Sequence, residues 1–527
     1  MNKTATSFLL PAILILANHT HAGSATWNVN PTSNDWNTAA NWTPATVPNG
    51  LFDTATFAFS NTTDISISSL TTVGGIVFNP GAGAYTLGAP ISGFLEVEGA
   101  GVINNSGHIQ TINIAGQAGS VSFFNSSTAG DMMLYSAAFN FFGTSNAGSG
   151  SFTLINTASV FLDQSSASSS NFTIPEGLFL QFRGSSNGGS AAFSLQAVTN
   201  AFNSGGALFF EESSSAANST ITAEGTDVVN INGRTLVDFS DTSDASTATI
   251  IALSGSNGGA GGNIDLEEQS TGTPRIELFG NGQLDISAHK SPGTTVGSIE
   301  GDGRIFLGQQ RLTVGDSLNT TFSGIIQDGG IAGGTGGDLM KVGSSTLTLV
   351  GASTYTGETT VTEGTLLVSN QTGSGTGTGN VQVNTGSLGG SGIVSGAVVV
   401  GTNSGAGAVL APAAGSDTHQ TFTTQSRLIL EADATYRCTA TARGRQVRTD
   451  KVVANEVTIA GARFFPRISG TLQAGTVFTV ISNTSANPIA GSFSNLQDGG
   501  IIKAGGNRLQ ASYEGGDGND LTLTVVP

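Results

Sequence analysis

A right-handed parallel β-helix, an all-β solenoid, is the fold class this sequence predicts, and three observations predict it. The first is composition. The chain has 527 residues, 75 of them Gly, with only 10% charged. Gly, Ser, Thr, Asn and Val dominate over Leu, Glu and Lys, which disfavours helices. The second is a phrase that recurs from about residue 120 to 270: an apolar pair, two polar residues, Ser/Thr, then small residues. It reads Phe123-Phe124-Asn125-Ser126-Ser127 and returns as Phe141-Phe142-Gly143-Thr144-Ser145 and Phe161-Leu162-Asp163-Gln164-Ser165. Phe182-Arg183-Gly184, Phe209-Phe210-Glu211-Glu212, Phe239-Ser240-Asp241 and a weaker Leu266-Glu267-Glu268 follow. The third is the alternation between copies, as in Ser151 to Leu154, Asn171 to Ile174 and Ser219 to Thr222. That two-residue period is the signature of strands.

Taking Phe124, Phe142, Leu162 and Phe182 as equivalent gives steps of 18, 20 and 20 residues. Phe210, Phe239 and Leu266 continue at 28, 29 and 27, which implies an inserted loop or an extra strand. A step near 20 residues is one rung of a β-helix. A rung is too small to bury its own apolar side, so rungs must stack. Stacking places equivalent Phe rings one above another inside the solenoid, about 4.8 Å apart. The Ser/Thr residues fall in turns, where they bond to local backbone, and Gly supplies positive φ.

Composition also excludes functions. Eighteen Lys+Arg stand against 36 Asp+Glu, a net charge of −18. Such a chain is unsuited to nucleic acid as its main partner. One Cys excludes a disulfide framework and a Cys-based zinc site. Met1 to Ala22 has the layout of a secretory signal peptide: Lys3, the apolar run Phe8 to Ala17, then Thr20-His21-Ala22. No later stretch reads as a membrane helix, so the expected chain is exported with no transmembrane segment after cleavage. The expected organisation is 1–22 signal peptide, 23–110 N-terminal cap and first coils, 111–420 solenoid repeats and 421–527 a C-terminal β cap. Trp27, Trp36 and Trp42 fit a plug at the N-terminal end or a carbohydrate platform.

The C-terminal region carries Arg427, Arg437, Arg443, Arg445, Arg448, Lys451, Arg463 and Arg467, interleaved with Glu431, Asp433, Asp450 and Glu456. Cross-strand ion pairs explain such a mixture; a patch for anionic polysaccharide or lipopolysaccharide is the alternative. Lys451 to Ile459, Thr476 to Ile481 and Leu521 to Val526 read as strands.

Candidate chemistry is sparse, and no catalytic residue, metal ligand or cofactor is assigned. Gly515-Gly516-Asp517-Gly518-Asn519-Asp520 fits one copy of a calcium turn that works only when stacked; a hairpin turn explains it equally, and Asp517 to Asp520 leave calcium open. Gly315-Asp316-Ser317-Leu318 resembles a hydrolase block but lacks its context. His108, His289 and His419 form no readable Ser/His/Asp set. The best enzymatic candidates are Glu211, Glu212, Asp238, Asp241, Glu267 and Glu268, which could stack across rungs as in the polysaccharide lyases and hydrolases that share the pectin-lyase-like fold. A solubilising acidic face explains them too.

One unit is more specific. Asp338-Leu339-Met340-Lys341-Val342-Gly343 leads into Ser345 to Leu349, then Gly351-Ala352-Ser353-Thr354-Tyr355-Thr356-Gly357, Thr359-Thr360-Val361 and Glu363 to Val368. Residues 338–369 resemble the autotransporter-associated β-strand repeat of bacterial passenger regions. Looser likeness reaches Trp36 to Trp42, Leu312 to Gly315, Leu388 to Gly392 and Val409 to Pro412. Only about 150 residues follow the repeat, and they show no aromatic-girdled translocator barrel. The resemblance implies a structural or adhesive protein, secreted or at the surface of a Gram-negative-type bacterium. Its partners would be host-cell or envelope glycans or proteins. A secreted polysaccharide-degrading enzyme on the same fold is the alternative.

Overall fold

The structure is a computed structural model. It describes residues 23–89, 94–114, 119–136, 138–199, 203–229, 233–315, 318–405, 407–443 and 446–527. The signal-peptide reading, and Asp316, Ser317 and Arg445, lie outside these. The described residues are almost entirely short strands joined by turns; Ala39–Asn41 forms a 3-10 turn. No helix is long and apolar enough to cross a membrane.

The strands stack into a parallel β-helix. One sheet runs from Trp42–Thr43 and Ala25–Trp27 up to Ile325–Gln327, and a second from Asp64–Ser66 up to Arg463–Ser469. Both are parallel ladders apart from one antiparallel pair each, Ala25–Trp27 with Trp42–Thr43 in the first and Ala434–Arg443 with Gln446–Thr449 in the second. Between residues 128 and 271 the third side is a column of single bridges, Thr128 to Asn146 to Ser166 to Asn187 and onward. From Gly293–Val296 it widens into a full third sheet.

The phenylalanine ladder is real, but its register differs by one residue at the start. The inward column is Phe123, Phe141, Phe161, Phe182, Phe210, Phe239 and Leu266, each paired with the next. Successive rings stack at 4.9, 4.5, 4.6, 4.8 and 4.7 Å. Phe124 and Phe142 point outward, as a half-buried pair 4.8 Å apart. A one-residue shift turns a side chain to the opposite face, so the apolar doublets concealed the choice. On the second sheet Phe152, Phe172 and Phe193 stack at 4.8 and 5.1 Å. The two columns meet edge to face, as Phe182 meets Phe193 at 5.7 Å and 90°.

Two further ladders explain the rest of the phrase. Two residues beyond each inward ring the backbone is left-handed: Asn125, Gly143, Asp163, Gly184, Glu212, Asp241 and Glu268 all have φ between 50° and 69°. Gly fills only two of these places. The acidic side chains hold the left-handed turn by accepting an amide hydrogen from the rung before: Asp163 from Gly143 at 2.9 Å, Glu212 from Gly184 at 2.8 Å, Asp241 from Glu212 at 3.0 Å. Four residues beyond each ring stands a buried Ser: 127, 145, 165, 186, 214, 243 and 270. These are not purely local turn residues. Ser127, Ser145 and Ser186 donate to carbonyls of the preceding rung, Val97, Phe123 and Phe161, at 2.9, 3.1 and 3.2 Å. The longer steps come from longer connections between the second sheet and the next strand of the first, after Leu195, Ala223 and Ala252.

The repeat at 338–369 follows the same logic with other residues. Lys341 is buried, and its ammonium donates to the carbonyls of Val342 and Gly343. The buried Tyr355 hydroxyl bonds the Thr359 hydroxyl at 2.6 Å. A Cβ on Gly351 would strike the Gly324 carbonyl, so only Gly lets these rungs approach.

At the N-terminal end Trp27, Trp36 and Trp42 are buried on Phe57, with indole centroids 5.0 Å apart. Their ring nitrogens donate to Thr62, Pro48 and Trp36 carbonyls. They serve as a plug, not a platform. At the other end Val477–Asn483, Asp520–Val526, Asn507–Gly515 and Ile501–Ala504 pair antiparallel. The strand expected from Lys451 to Ile459 is split at Glu456, which has φ of 87°.

Phe161→Ala should lower unfolding free energy by about 3–5 kcal/mol, as deletion of a buried ring does. Phe124→Ala should cost about 1 kcal/mol or less. Urea denaturation compares the two; equal losses contradict the inward placement of Phe161.

Candidate functional site

On the outer face of the first sheet, parallel register lines up like positions from successive rungs. One column reads Phe209, Asp238, Asp265, Asp285, Phe306. Beside it runs Ala207, Leu236, Asn263, Gln283, Arg304. Three carboxyl groups therefore lie on adjacent strands, about 4.8 Å apart in backbone spacing, between two aromatic rings.

Loops convert this face into a cleft. Ile331 donates its amide to Asp285 at 2.7 Å and Ala332 donates to Ser287 at 3.0 Å, folding the segment around 330 over the column. Asp265 and Asp285 are each 5% exposed. Asn263 donates to Asp265 at 2.8 Å, and Gln283 to Asn263 at 2.7 Å. The acidic arm of the cleft is about 290 Å³, lined by Arg234, Asn263, Asp265, Gln283, Asp285 and Phe306. An adjoining arm of about 420 Å³ is more apolar, with Leu178, Phe179, Phe209 and Leu236. Phe179 and Phe209 meet edge to face at 5.7 Å.

Burial, and then the neighbouring carboxylates, favour the protonated form of Asp238, Asp265 and Glu267. Burial, then the charge of Glu267, pushes Asp238 up to about 7. Burial, then Asp285, pushes Asp265 up to about 8. Glu267 is raised by burial and by Asp285. Below neutrality Asp238 and Asp265 are neutral acids that both donate and accept hydrogen bonds, a match for hydroxyl-rich ligands. Asp238, Asp265 and Glu267 each offer an oxygen within 4.8 Å of the others. One of these oxygen-bearing groups is already held by Asn263, and calcium takes six to eight oxygens, so the trio alone does not make a calcium site.

The other acidic candidates go elsewhere. Arg183 pairs with Glu211 at 3.2 Å and with Glu212 at 2.9 Å. Asp241 supports the left-handed turn, and Glu268 stands 4.0 Å from Lys290. Sequence reasoning named Asp238 and Glu267 but missed Asp265 and Asp285. The signal was present: Asn263-Ile264-Asp265 and Gln283-Leu284-Asp285 repeat amide-apolar-acid one rung apart.

The remaining motifs resolve into local structure. Gly515 pairs with Asp520 across a hairpin turn, and Asp520 accepts the Asn483 amide at 2.9 Å. His289 sits between the carbonyls of Lys290 and Ser270. His108 lies exposed in a turn. His419 does meet an acid and a hydroxyl, Asp450 at 3.2 Å and Thr441 at 2.9 Å. Its Nδ1 also faces Thr439 at 3.1 Å, and the cluster pins the base of the hairpin formed by Ala434–Arg443 and Gln446–Thr449.

Because Asp238 and Asp265 bind protons more tightly when folded, their contribution is full below about pH 4 and is lost as pH rises through about 7 to 8. Stability should therefore fall between pH 5 and pH 9. Asp265→Asn should remove more than half of that fall in thermal midpoint. An unchanged fall contradicts the crowded-acid picture.

Comparison with known proteins places one segment. Residues 339–368 match the passenger-associated-transport-repeat family, so the chain carries an autotransporter-associated repeat. Among solved structures it is similar to the Haemophilus influenzae Hap adhesin, with 10% identity and a TM-score of 0.27. That likeness covers 90% of this chain and 64% of the adhesin chain, so this chain spans less than two thirds of it. No curated protein sequence matches.

Proposed function

We propose that this is an exported, non-enzymatic β-helical protein, passenger-like and adhesive, held at the surface or released from a Gram-negative-type cell. The supporting observation is the passenger-associated repeat at 339–368 set within a continuous stack of rungs. Residues 23–110 and 421–527 act as its end units and 111–420 as the shaft. Its recognition surface is the cleft on the first sheet. Phe179 and Phe209 give apolar faces, while Asn263, Gln283 and the protonated acids give paired donors and acceptors. That chemistry suits a neutral glycan of a host or the cell envelope.

A second reading has one observation in its favour. A carboxyl held protonated beside another carboxyl, with Arg234 at the rim, is the arrangement that glycoside cleavage uses. A glycan panel incubated with the mature protein separates the two. The adhesive reading expects retention of a glycan without new reducing ends, and at least tenfold weaker retention by Phe209→Ala. Release of reducing ends, abolished by Asp265→Asn, would overturn it in favour of the enzyme.

A further inference from the structure

The charge of the chain is unevenly placed. Residues 421–527 hold ten Lys/Arg against eight Asp/Glu, while residues 1–420 hold eight against 28. Cross-strand ion pairing was one explanation for the C-terminal arginines, and the register gives four of them no acidic neighbour. Ala434–Arg443 pairs with Arg463–Ser469 in parallel, which sets Thr435 beside Arg463, Arg437 beside Phe465 and Thr439 beside Arg467. On its other edge the hairpin sets Thr441 beside Arg448. Registered neighbours share a face, so Arg437, Arg448, Arg463 and Arg467 all project from one side of the sheet. All four are exposed. Among the described residues, none takes part in an ion pair. The opposite face is core, with Tyr436, Cys438, Ala440 and Phe464 buried.

Three of the four interleaved acids are engaged or placed elsewhere. Asp433 accepts the amides of Thr402, Asn403 and Gly405. Asp450 is buried and accepts those of Thr439 and Gln420. Glu456 lies in a turn outside these three strands. Four arginines without an ion-pair partner thus share one sheet face, in a chain whose remainder is strongly acidic.

We propose that this face binds an acidic polysaccharide. Sheet spacing sets the arginines about 8 Å or more from one another. They therefore do not converge on one small anion, and they suit a polymer with repeated charges. Arginine forks pair with carboxylate and sulfate groups. Phe465, with the Arg467 guanidinium 5.7 Å from its ring centroid, offers an apolar face for a sugar ring. The hydroxyls of Thr439 and Thr441 are held by His419, which fixes the hairpin before binding. The face stands apart from the cleft on the first sheet, so either can fail without the other.

The test is retention of the mature protein on immobilised heparin and on polygalacturonate, with neutral dextran and single-stranded DNA as comparisons. Wild type should bind both acidic glycans and not dextran, and bind DNA at least tenfold more weakly. Changing all four arginines to Gln should abolish retention. Arg467→Gln alone should lower the salt slope by about one. Arg427→Gln, an exposed arginine outside these three strands, should change neither. Equal thermal midpoints for wild type and the fourfold variant show that the fold is kept. Retention by the fourfold variant, or DNA binding as tight as glycan binding, overturns the proposal. So does salt-sensitive self-association in sedimentation that replaces glycan binding, since it assigns the face to a second copy's acidic shaft.

Discussion

In-register stacking of aromatic rings from rung to rung is the constraint on which the rest of the structure depends. A single rung of about 20 residues cannot exclude water from its own apolar side chains. Seven successive inward positions, Phe123 to Leu266, solve this by making each ring the floor of the next. The Ser ladder and the left-handed ladder are the backbone's accommodation to that column. Every rung must turn at the same place, so the same conformational need recurs at Asn125, Gly143, Asp163 and their successors.

The same constraint shapes the outside. Parallel register copies whatever stands outward at one rung onto the next, so like residues accumulate. On the first sheet this brings Asp238, Asp265 and Asp285 together, and burial, then neighbouring negative charge, raises Asp238 and Asp265. On the last rungs it brings arginines together and leaves them exposed. The acidic cluster does not show in the local sequence, because its members are about one rung of chain apart; the basic cluster between 427 and 467 does show, but not the sheet face that four of its arginines share.

That separation explains what was legible beforehand. The period, the β class and the unit at 338–369 were readable because each rests on residues close in sequence. The inner column was read one residue late at Phe124, Phe142 and Leu162, since a doublet of apolar residues satisfies either face. Phe182-Arg183 and Phe239-Ser240 break the tie, because only the first residue of each can face the core. Counting back from them by the left-handed position recovers Phe123, Phe141 and Phe161. The cleft was not readable, since the segment carrying Ile331 comes from 46 residues beyond Asp285 in sequence.

Small-angle X-ray scattering from a dilute solution of residues 23–527 tests the continuous stack most directly. Roughly twenty rungs rising about 4.8 Å each give a particle with a longest dimension on the order of 100 Å. Scattering should show an elongated pair-distance distribution reaching that length. A symmetric distribution with a radius of gyration near 23 Å, the value for a compact chain of this size, would contradict it.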